Sequence, residues 1–77
     1  MKDFQIGMKV QLNGEFGVVI NPKESENDLI RIIRWDTNKE SDFEDWSGLF
    51  GTFVQNGSKI INNDYEFTFI TDHGELK

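Results

Sequence analysis

The chain has no cysteine, one proline and one histidine among its 77 residues. Without cysteine no disulfide can brace the fold, and no thiolate can ligate zinc or attack a substrate. The lone histidine, His73, lies in a polar tail and reads as a surface residue. There is no serine–histidine–aspartate set, no metal-ligand cluster and no glycine-rich phosphate loop. Carboxylate pairs such as Glu44 and Asp45 are too common in an acidic chain to nominate acid–base chemistry. The expectation is a protein that is not an enzyme and needs no metal or cofactor.

Basic residues are also scarce, eight Lys and Arg against fourteen Asp and Glu, a formal net charge of −6. A nucleic-acid binder needs a basic footprint, so direct nucleic-acid binding is not expected, nor is attraction to an anionic membrane. No apolar run approaches the roughly 20 residues of a membrane-crossing helix. The opening Met1–Gln5 lacks an apolar signal segment, which leads to a cytoplasmic expectation.

Aromatic residues are plentiful by contrast, 13% of the chain. A domain this short buries only about 60% of the surface its unfolded chain exposes, so bulky rings are what its core requires. One domain is expected over residues 1–77, with 71–77 as a frayed polar tail.

The pattern along the chain is that of short strands and tight turns. Met8–Leu12 alternates apolar and polar residues, the period of a half-buried strand. Asn13-Gly14 then reads as a tight turn, because both residues tolerate positive φ. Gly17–Asn21 and the apolar Leu29–Trp35 are the next strands, separated by Pro22 and a polar loop over 23–28. Trp46–Gly51 reads either as a short helical turn or as an irregular segment. Thr52–Gln55, Asn56-Gly57 and Ser58–Ile61 read as a hairpin with Phe53 opposite Ile60. Tyr65–Ile70 alternates again, placing Tyr65, Phe67 and Phe69 on one face.

These elements predict an all-β fold: one small antiparallel barrel or curled sheet of five to six strands, SH3-like, with at most one short helical turn. The predicted core is Met8, Val10, Leu12, Val18, Ile20, Ile30, Ile32, Trp35, Phe53, Ile60, Phe67 and Phe69. Arg31 and Arg34 fall on opposite faces of one strand, so one of them is expected to snorkel or to pair with a carboxylate.

The run Gly7-Met8-Lys9-Val10, Gly14, Gly17-Val18-Val19 and then Ile32-Ile33-Arg34-Trp35-Asp36 resembles the opening of SH3-like small barrels of the Tudor and KOW type. The resemblance covers roughly the first half of the chain. It implies a small barrel, and it places Trp35 and Asp36 where Tudor-like domains supply part of an aromatic cage for a methylated side chain.

The stretch from Trp35 to Trp46 is the most informative for function. Trp35, Phe43 and Trp46 lie among Asp36, Glu40, Asp42, Glu44 and Asp45, and Lys39 is its one basic residue. Aromatic faces attract cations, and adjacent carboxylates add to that attraction. The rings are also the usual anchors of interfaces. The competing reading is a core pair of tryptophans under a solvated acidic loop. Asp36, Asn38 and Glu40 have the one-apart spacing of a calcium loop, but Ser41 and Ser47 occupy the positions that need Gly and a bidentate Glu. Asn56-Gly57-Ser58 matches a glycosylation acceptor, which its role in a tight turn explains.

The leading expectation is an interaction module for a basic peptide or protein surface. Trp35, Phe43 and Trp46 would be its apolar anchors, and Asp36, Asp42, Glu44 and Asp45 its charge partners. Two other readings stand beside it. One is an acidic mimic of nucleic acid that occupies a basic DNA-binding protein. The other is a structural homo-oligomer joined through a strand edge or an aromatic patch.

Overall fold

A computed structural model of the chain describes residues 3–21 and 30–77. Pro22 and the polar loop over 23–28 lie outside the described residues, as does the start of the Leu29–Trp35 strand. The elements are β1 (Lys9–Leu12), β2 (Glu15–Ile20), β3 (Ile32–Trp35), β4 (Phe43–Asp45), α1 (Phe50–Gln55) and β5 (Lys59–Ile60). The five strands form one antiparallel sheet in the order β4-β3-β2-β1-β5. Among the described residues the fold is therefore small and mostly β with one short helix, and the sheet is not a closed barrel.

The Asn13-Gly14 turn joins β1 to β2 as expected. Both residues have positive φ, 54° and 81°, the combination a two-residue turn of this hand requires. Next to it, Gly17 allows a close approach. A Cβ there would lie 2.8 Å from the Arg34 carbonyl and 3.0 Å from Cε3 of Trp35, so only glycine lets the Trp35 ring lie over β2.

The sheet is covered on both faces. On one face Val10, Leu12, Val19, Ile33 and Trp35 pack under Phe4 and Phe53, with Met8, Trp46 and Phe50 at the margin. The Phe4 ring sits 5.0 Å from Phe50 and 5.3 Å from Phe53. On the other face Val18 packs with Phe67 and Ile70, flanked by Phe16, Ile20 and Tyr65. Two-sided cover explains why the neighbours Val18 and Val19 are both fully buried, which a strand with one wet face does not allow.

This second layer corrects several expectations. Residues 71–77 carry backbone hydrogen bonds of their own. Thr71 N–H donates to the Glu75 carbonyl and Lys77 N–H to that of Phe69, and Ile70 bridges Leu76. Tyr65–Ile70 is not a strand of the sheet, because β5 already occupies the free edge of β1 and Ile61 N–H donates to the Lys9 carbonyl. The segment instead crosses the second face, and side chains take up its backbone groups. The Asp36 carboxylate accepts the N–H groups of Thr68 (2.9 Å) and Phe69 (2.7 Å). The Lys9 ammonium donates to the carbonyls of Asn63 and Tyr65, both at 2.6 Å, and pairs with Asp72 at 3.0 Å. Its three N–H bonds are thereby satisfied, which is what permits a lysine to be buried.

The hairpin expected over 52–61 is also corrected. Phe50–Gln55 is helical, and Asn56-Gly57 ends the helix instead of turning a hairpin. Asn56 N–H donates to Thr52 and Gly57 N–H to Val54, with Gly57 at φ 87° as the left-handed residue that closes a helix. Ile60 accordingly pairs with Val10, not with Phe53.

The core shifts with these changes. Phe4, Val19, Ile33 and Ile70 are buried, whereas Ile60 and Phe69 are exposed and Met8, Ile20, Ile30 and Ile32 are half-buried. Arg34 is the buried arginine, 1% exposed. Its guanidinium donates to the backbone carbonyls of Trp35, Thr37, Lys39 and Asp42, not to a carboxylate. It thus holds the 35–42 turn in shape from inside.

Candidate functional site

The residues from Trp35 to Trp46 divide between the two faces of the sheet. In β4, Glu44 lies opposite Ile33, while Phe43 lies opposite Arg34 and Asp45 opposite Ile32. Side chains alternate along a strand. Glu44 therefore shares the face of Trp35, and Phe43 and Asp45 share the face of Arg34.

On the first face Glu44 gathers the two tryptophans. Its Oε1 accepts the indole N–H of Trp46 at 2.8 Å and that of Trp35 at 3.2 Å. Trp35 is buried, 4% exposed, and Trp46 is half-buried, its ring 4.9 Å from that of Phe53. Leu12, Asn13 and Glu15 from the β1–β2 end, and Asn56 from the end of α1, complete a groove of ≈ 380 Å³ around these three side chains. It is a shallow acidic recess with aromatic walls. Both indole donors are spent on one carboxylate oxygen, so the ring edges are fixed and the charge is held at the groove.

On the second face Phe43 is 47% exposed, and the Arg34 guanidinium carbon lies 5.4 Å from its ring centre. Asp45 accepts the Ser47 N–H at 2.9 Å. The Ser47 hydroxyl first, and its backbone N–H second, hold the Asp45 carboxyl below its ordinary value.

The remaining nominated residues do not join the site. Asp36 spends both carboxylate oxygens on Thr68 and Phe69, so it anchors the C-terminal segment. Asp42 accepts the Thr37 hydroxyl at 2.8 Å and is half-buried. Phe43 and Trp46, nominated together as anchors, stand on opposite faces.

Leu12, Asn13, Glu15 and Asn56 were absent from the nominated set. The Asn13-Gly14 turn brings Glu15 beside Trp35, and only the helical end at Asn56 brings that residue near. The first was open to a reading of strand register; the second was hidden by reading a hairpin there.

No protein-family model, curated protein or solved structure matches the chain.

Proposed function

We propose that the protein is a non-enzymatic interaction module that engages a basic segment of another protein. The observation that carries this is the Glu44 carboxylate, held by two indole N–H groups at the mouth of a groove that also contains Glu15. A lysine, methyl-lysine or arginine side chain entering there meets an indole face and two carboxylates together. Cation–π attraction and charge pairing both favour it, and neither favours an anion. The distribution of the other acids supports this reading over a nucleic-acid mimic. Asp36 and Asp72 are spent on holding the C-terminal segment, and do not extend one negative surface.

The test is chemical-shift mapping with a peptide of about seven alternating lysine and threonine residues, long enough for one ordinary strand. The expected result is movement of both indole N–H resonances, lost in Trp46→Ala. Binding that moves neither indole would overturn the proposal.

A further inference from the structure

We infer that the basic segment binds as an added strand along the free edge of β4; this rests on the reading above and gives it a binding mode. Among the described residues the sheet order leaves β4 with one neighbour, β3, and all three of its residues are exposed. The register says which backbone groups are unused. Trp35 N–H donates to the Asp42 carbonyl and Trp46 N–H to that of Arg31, both at 3.0 Å. Hydrogen-bonded pairs alternate in an antiparallel ladder. The bonded pairs are then Trp35 with Asp42, Ile33 with Glu44, and Arg31 with Trp46. Glu44 turns its backbone toward β3, and Phe43 and Asp45 turn their N–H and C=O groups outward. Two donors and two acceptors stand in strand geometry, ready to pair.

Charge selects the occupant. Asp42, Glu44 and Asp45 all border this edge, and no basic side chain lies between Asp42 and Asp45. A second copy laid antiparallel on the edge and centred on Glu44 would set that carboxylate against its own counterpart, which is unfavourable for directly opposed like charges. A basic strand meets opposite charge on both of its faces. Its side chains on one face reach the Glu44–Trp46 groove, and those on the other meet Asp45 and the exposed Phe43. The opposite edge of the sheet, β5, carries Lys59 and Ile60 and offers a basic strand no such complement.

The experiment uses the alternating lysine–threonine peptide and two forms of it, N-methylated on every threonine or on every lysine. An added strand directs alternate N–H groups at β4, so one methylated form loses its ladder bonds and the other keeps them. The inference expects one form to bind roughly tenfold more weakly or worse, as the loss of two or more hydrogen bonds implies, and the other to bind much as the parent does. It also expects the parent to slow hydrogen exchange at the Phe43 and Asp45 amides. If both methylated forms bind like the parent, or protection falls on Lys59 and Ile60, the edge mode is wrong while recognition of a basic segment stands. If the parent fails to bind, or the protein alone self-associates through β4, both fail.

Discussion

Two buried cations show how single residues hold this small fold together. Lys9 and Arg34 are 4% and 1% exposed, and each is satisfied mainly by backbone carbonyls. Lys9 ties the sheet to the 63–72 segment, and Arg34 fills the inside of the 35–42 turn. A lysine at position 34 keeps the charge but lacks the planar fork of five donors that reaches several carbonyls at once. Arg34→Lys should therefore lower stability by about 2 kcal/mol or more, the cost of buried acceptors left unpaired. Denaturant unfolding measures this. A loss under about 0.5 kcal/mol, the level of an ordinary surface change, would show that the turn does not depend on the fork. Both cations sit within strands, which is why sequence patterning marked them as polar positions: it registers residue type, and a backbone cage around a cation leaves no sequence signature.

At the scale of elements, the helix is the most instructive departure from what the sequence suggested. Trp46, Phe50 and Phe53 are spaced i, i+4, i+7, a helical stripe; Phe50 and Phe53 pack on Phe4, and Trp46 packs on Phe53. The stripe begins outside the helix itself and spans a short element, so the Asn-Gly pair after it outweighed it as a hairpin signal. Asn-Gly suits either role, because both a tight hairpin turn and a helix end need positive φ. Asn13-Gly14 takes the first role and Asn56-Gly57 the second, with positive φ at Gly57 but not at Asn56. Gly57→Ala should cost about 1 kcal/mol, read as a lower thermal midpoint, because a Cβ is disfavoured at this φ. An unchanged midpoint would contradict the capping role. Strands β1 to β3 were legible because alternation, glycine and a two-residue turn agree there. The phase of β3 was not. With both faces covered, Ile32, Ile33 and Arg34 offer no clean alternation to read.

For the whole molecule, the C-terminal segment is what makes a two-faced sheet possible in so short a chain. It covers the second face without joining the sheet, and Asp36 is its clamp. Asp36→Ala should speed hydrogen exchange at Thr68 and Phe69 and lower stability by about 1–2 kcal/mol, in line with hydrogen bonds to a charged acceptor. Exchange at β1 amides should speed up only as far as the loss of global stability requires. No change at Thr68 and Phe69 would rule the clamp out. The same residue explains why the candidate site was only half legible. The sequence brings Trp35, Glu44 and Trp46 into one stretch, and they do meet. It cannot say that Asp36 is committed elsewhere, or that Phe43 faces the other way, because both follow from a segment more than 30 residues downstream and from strand register.

The central claim, recognition of a basic segment at the Glu44–Trp46 groove, is tested most directly by calorimetric titration of the lysine–threonine peptide into wild type and Glu44→Gln. Glutamine keeps an oxygen for both indole N–H groups and removes only the charge. The expected result is measurable binding that weakens with salt, and a several-fold weaker affinity for Glu44→Gln, the scale of one partly exposed ion pair. Equal affinity for the two proteins, or equal affinity for a glutamate–threonine peptide, would contradict it.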